Sequence, residues 1–160
     1  MKKYPLFIAA ILIFCNAYSQ TTPAEKANIV TELIKLVKMQ DEPKAGAYLR
    51  TRHCVFAGKN PHEGGFDYMY RVLHATSVYG LTVLDDTGQS VSTAYYSTIS
   101  NNEYLAALNY VKGAGYLPRG DVSNPNFLAF AKGDDLVMLG IGNNNGVTSY
   151  TISASKIIMY

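Results

Sequence analysis

Apolar residues recur along this chain with two different periods, and the switching between them lays out the elements. Ile29, Val30, Leu33, Ile34 and Val37 follow helical spacing. Ahead of them Thr22 stands as a cap, Pro23 at the first helical position and Glu25 at the third, which is a helix start. Lys35 and Lys38 fall in the closing turns, where positive charge complements the helix dipole, and Asp41-Glu42-Pro43 reads as the stop. A second helix opens at Ser100 and Glu103, which have capping-box spacing, and carries Tyr104, Leu105, Leu108 and Val111 as its stripe. Gly113 and Gly115 supply residues able to end it in a left-handed conformation. The spacing thus predicts helices over about 22–39 and 101–113.

Elsewhere the period is two. Ala47 to Ala57 alternates, with Tyr48, Arg50, Arg52, Cys54 and Phe56 on one face, and Gly58 to Gly65 has the composition of a loop. Phe66 to Ala75 places Phe66, Tyr68, Tyr70 and Val72 on one side. Val78 to Leu84 and Val91 to Ile99 flank the turn Asp85-Asp86-Thr87-Gly88. Beyond the second helix and a Pro- and Asn-rich connection come Phe127 to Ala131, Leu136 to Ile141 and Val147 to Ser153. Lys132 to Asp135 and Asn143 to Gly146 separate them as hairpin turns. The expected class is α+β: a mostly antiparallel sheet of hairpins, with both helices packed on one face. The order helix, strands, helix, strands invites a duplication, but Gly88 and Gly146 lie 58 positions apart whereas the caps Thr22 and Ser100 lie 78 apart. No single period fits both pairs.

The first nineteen residues change what counts as the protein. Lys2 and Lys3, an apolar run from Leu6 to Phe14 and small residues at Ala17 and Ser19 form a secretory signal with cleavage expected after Ser19. Cys15 offers lipidation instead, but Phe14 before it is too large for that processing. The whole chain has 14 Lys plus Arg against 12 Asp plus Glu. Losing Lys2 and Lys3 leaves 12 against 12, so the expected mature chain is formally neutral and lacks the basic surplus of a nucleic-acid binder. Its remaining length, residues 20–160, suits one domain. With Cys54 as its single cysteine that domain forms no internal disulfide.

Candidate chemistry is sparse. Cys54 is the one thiol left for nucleophilic attack and needs a histidine beside it; His53 follows the opposite strand face, which leaves His74 or His62. Cysteines are also among the residues most often buried and inert. His62, Glu63 and Asp67 offer at most three metal ligands in a glycine-rich stretch, and Asp85-Asp86 and Asp134-Asp135 are explained by turn chemistry, so no metal or cofactor is expected. Arg50 and Arg52, with Arg71, have the fork geometry for a carboxylate or phosphate, and Tyr68 and Tyr70 supply aromatic surface for a ligand. The thirteen tyrosines and absent tryptophan suit pleated strands. Three functions fit: a periplasmic or secreted domain that binds another protein, of inhibitor, immunity or envelope-accessory type; a sugar or lipid binder; and a small cysteine hydrolase. The first accords best with neutrality, small size and polar hairpin tips.

Overall fold

Pro43 starts a helix rather than ending one. The Asp41 side chain accepts a hydrogen bond from the Lys44 amide at 2.9 Å, and Pro43 falls in the first turn, where its missing N–H costs nothing. In the computed structural model, which describes residues 28–84, 90–120, 123–124 and 126–157, the result is a helix where a strand is expected. The described residues hold three helices: α1 (Ile29–Met39), α2 (Glu42–Thr51) and α3 (Asn101–Gly113). Asn28 caps α1 through its Oδ1 on the Val30 amide at 2.9 Å, and Gln40 closes it in the left-handed region. The signal segment, the Thr22 cap and the Asp85–Gly88 turn lie outside the described residues.

At α3 the expected capping box is half made. Ser100 Oγ accepts from the Glu103 amide at 3.4 Å, but the Ser100 amide donates to Thr98 Oγ1 and the Glu103 carboxylate turns to the sheet. Its buried stripe is Tyr104, Ala107 and Val111, while Leu105 is exposed. Gly115, at φ +81°, lets the Tyr116 amide return to the Val111 carbonyl and finish the helix.

Eight strands follow: β1 (Cys54–His62), β2 (Gly65–Val72), β3 (Val78–Val83), β4 (Val91–Thr98), β5 (Leu117–Arg119), β6 (Phe127–Lys132), β7 (Asp135–Asn144) and β8 (Val147–Lys156). They form one antiparallel sheet in the order β1-β2-β3-β4-β8-β7-β6-β5. Two expectations change. Arg50 belongs to α2 and Arg52 caps its end, so the strand begins only at Cys54. It then runs through the supposed Gly58–Gly65 loop, because a bulge at Ala57 absorbs the irregular stretch. Asn145 and Gly146, both at positive φ, make the tight β7–β8 turn.

The chain is two passes of one plan. α2 and β1–β4 make the first, α3 and β5–β8 the second, and they join where β4 pairs with β8. The N-cap that corresponds to Ser100 is Asp41, 59 positions earlier, not Thr22. That offset is close to the 58 between Gly88 and Gly146 in sequence, while the β3 and β4 starts, Val78 and Val91, precede the β7 and β8 starts, Asp135 and Val147, by 57 and 56; the plan repeats without one strict period, and α1 is the extra element. It contacts both β4 and β8 and so lies over the junction, with α2 and α3 as its helical neighbours.

Register sorts the side chains, since directly opposed residues share a side of the sheet. One row reads Tyr70, Tyr79, Tyr96, Ile152, Leu139 and Leu128 across β2, β3, β4, β8, β7 and β6. All but Leu128 are buried. Leu81, Ala94, Ala154, Val137 and Phe130 form the next row on the same side, also buried. Val30, Leu33, Leu36 and Val37 of α1 and Ala45 and Leu49 of α2 complete this core. On the other side the corresponding row is Met69, Gly80, Tyr95, Ser153, Met138 and Ala129.

Candidate functional site

Three tyrosines side by side in the sheet each give their hydroxyl to a glutamate from a different helix. Tyr70 donates to Glu42 of α2, Tyr79 to Glu32 of α1 at 3.1 Å, and Tyr96 to Glu103 of α3 at 3.1 Å. A buried phenol loses its water and needs an acceptor; a charged one aimed from a helix is the strong choice. Burial, followed by the facing glutamate, pushes Tyr70 and Tyr79 well above the ordinary phenol range, and burial pushes Tyr96 up to about 12. All three stay protonated donors at neutral pH. Tyr79 and Tyr96 also meet ring to ring, with centroids 4.8 Å apart.

Glu32 is the centre of this arrangement. Its side chain is 4% exposed, yet both oxygens are used: Oε1 accepts from Tyr48 at 3.2 Å and from Arg52 Nε at 2.9 Å, and Oε2 from Tyr79. A carboxylate buried this far is tolerated only when paired and fully hydrogen-bonded. Arg52 supplies the opposite charge and is itself held firmly protonated by Glu32.

Above Tyr79 and Tyr96 a cleft of about 890 Å³ opens between the start of α1, the end of α2 and the first turns of α3. Glu32, Arg52, His53 and Glu103 supply its charged and titratable lining. A neighbouring hollow of about 820 Å³ shares Val72, Ser100 and Glu103 with it and adds Arg71 and His74. His53 and His74 both adopt positive φ, and the Leu73 amide donates to the His53 carbonyl at 3.0 Å, which ties the two turns together at the rim.

The sequence candidates are dispersed by this fold. Of Arg50, Arg52, Tyr68 and Tyr70, Arg52 alone lines the large cleft. Arg50 is exposed on α2, Tyr70 is committed to Glu42, and Tyr68 lies at 4.9 Å under the Lys59 ammonium. Cys54 is buried, its Sγ donates to the Arg52 carbonyl at 3.7 Å, and burial raises its pKa, so it is a thiol rather than a thiolate. His74 is exposed in the β2–β3 turn. His62 stands 3.9 Å from Asp67 and also bonds the Glu63 carbonyl; among the described residues no group of three or more His, Cys, Asp or Glu could hold a metal ion.

Sequence reasoning missed Glu32, Tyr79, Tyr96 and Glu103. Glu32 had a signal, since it is an acid set three residues after Ile29 and four before Leu36, inside an apolar helical stripe. The tyrosines had none, because strand packing explains a tyrosine equally well.

The other side of the sheet has a different chemistry. Across the four central strands its rows are Val78, Ser97, Thr151 and Gly140; then Gly80, Tyr95, Ser153 and Met138; then Thr82, Thr93, Ser155 and Leu136. None is charged. Tyr95 lies across Gly80, where a Cβ would come within 1.9 Å of its ring. Charges enter only further out, at Asp67 and Arg71 of β2 and Arg119 of β5. Among the described residues no helix is long and apolar enough to cross a membrane. Comparison of the chain with protein families, with curated proteins and with solved structures found no match.

Proposed function

We propose that this chain is an exported, non-catalytic binding domain whose partner is another protein, gripped by the side of the sheet opposite the tyrosine–glutamate row. The three helices all rest on the Tyr70–Tyr79–Tyr96 side, each through its own glutamate, which leaves the Tyr95–Met138 side for contact. The observation that carries this reading is the composition of that side: aromatic, methionine and small hydroxyl residues in a charge-free centre, with Arg71, Asp67 and Arg119 at the rim. Interface cores show the same depletion of charge and enrichment of aromatics and methionine. A buried Cys54, bonded to the Arg52 carbonyl and with no histidine partner among the described residues, speaks against the hydrolase reading.

Thr151 is exposed at the middle of that face and Asn109 is exposed on α3, so Thr151→Arg and Asn109→Arg make a matched pair. The wild-type protein is used as bait in the extracellular and envelope fractions of the source cells, and the recovered partner is then titrated as a purified protein. Thr151→Arg is expected to weaken the complex at least tenfold and Asn109→Arg to leave it intact. Equal affinity of the two variants would overturn the assigned face, and a partner that proves to be a second copy of the chain would overturn the hetero-partner. Export is tested separately: mass spectrometry of the mature protein is expected to find an N-terminus following Ser19.

A further inference from the structure

We infer that the cleft above Tyr79 and Tyr96 binds a short peptide through its two free termini. Of the cleft's charged lining, Arg52 and Glu103 are opposite in sign and each keeps hydrogen-bonding capacity to spare. Arg52 is oriented by a single side-chain bond, Nε to Glu32, and its two terminal nitrogens have no partner among the described residues. Its side chain is 42% exposed, so that fork is open to a ligand carboxylate. Glu103 receives the Tyr96 hydroxyl on Oε2, which leaves Oε1 without a partner among the described residues, and Glu103 lines both hollows. Glu32 does not compete, because both its oxygens are already taken.

Charge pairing then selects the ligand. A simple anion would meet Arg52 but be repelled by Glu103 and Glu32, and a simple cation would meet Glu103 but leave the guanidinium fork without an acceptor. An uncharged sugar would cover the terminal nitrogens of Arg52 and Oε1 of Glu103 without a charged partner for either, which is the expensive outcome. A molecule with a carboxylate at one end and an ammonium at the other satisfies both. A single amino acid has these groups, but the larger hollow is an open cleft of about 890 Å³, within the size range of sites for ligands well above one residue. A peptide of about two to four residues fills more of it, and its backbone amides match Ser100 and Asn102 along the α3 wall. This site lies on the side of the sheet away from the proposed protein-binding face and stands independently of it.

The test blocks the ligand before it alters the protein. Wild-type protein is titrated by calorimetry with trialanine, N-acetyl-trialanine and trialanine amide. Trialanine is expected to bind and to raise the melting temperature, and each blocked peptide to bind at least tenfold more weakly. Glu103→Gln retains an acceptor for Tyr96, so it is expected to abolish the discrimination against N-acetyl-trialanine while keeping that against the amide. No binding of trialanine at about 10 mM, or equal binding of all three peptides by the wild type, would overturn the inference. So would a Glu103→Gln protein that still rejects the acetylated peptide.

Discussion

On one side of the β4–β8 junction the central row is Tyr70, Tyr79 and Tyr96, all buried; on the other it is Ile152 and Leu139, both buried, and the half-buried Leu128. The two passes share a topology but are held by different physics. The aliphatic row gains only from area removed from water, which is non-directional and tolerates small shifts of whatever covers it. Each tyrosine in the first pass has a hydroxyl bonded to a glutamate of a different helix, so the row adds directional ties to α1, α2 and α3 beyond the area they cover. The directional contacts between helices and sheet are therefore concentrated in the half that looks least like a core.

The largest expected effects test that contrast directly. Glu32→Ala strips the partners from Arg52, Tyr48 and Tyr79 together and is expected to cost about 3–5 kcal/mol by chemical denaturation. Leu139→Ala, at a position with no exposure, is expected to cost about 2–5 kcal/mol through its cavity. The two costs are alike in size and differ in coupling: Tyr79→Phe is expected to cost about 1–3 kcal/mol alone and close to nothing once Glu32 is alanine. Additive costs would mean the tyrosine row is held by area after all.

Next in size comes Gly46→Ala on α2. Alanine favours a helix, but a Cβ here would stand 2.1 Å from the Tyr70 hydroxyl, so a loss of about 1–3 kcal/mol is expected where propensity alone predicts a gain. Alkaline titration follows. Tyr96 is raised from about 10 unfolded to about 12 folded, so its contribution is complete below pH 10 and is lost as pH climbs through 12. Urea midpoints of the wild type are expected to fall across that window, and those of Tyr96→Phe to fall less. The smallest effect is at Lys38, whose exposed pair with Asp135 at 3.0 Å is expected to contribute under about 1 kcal/mol on Lys38→Ala.

Much of this architecture was legible from pattern alone. The α+β class, the helix over 101–113, the hairpins around Gly133 and Gly146 and the strands beginning at Val78 and Val91 all followed from period and turn chemistry. The α2 helix did not, because Pro43 fits a helix stop and a first turn equally, and only the Asp41 cap, visible three residues before Lys44, decides between them. That single misreading also hid the repeat, since it matched Ser100 with Thr22 in place of Asp41. The cleft was out of reach for another reason: Glu32, Arg52, Tyr79 and Glu103 come from four separate elements, and no local spacing brings them together.

An open sheet has two unfinished borders, and here both are spoiled as templates. Along β1 the bulge at Ala57 breaks the spacing of the outward amides, while Lys59 and Pro61 add a charge and remove a donor. The opposite border, β5, is three residues long with Pro118 at its middle. Among the described residues, growth of the ribbon from molecule to molecule is thereby disfavoured at either end, so strand pairing is spent within one molecule and not offered to the next.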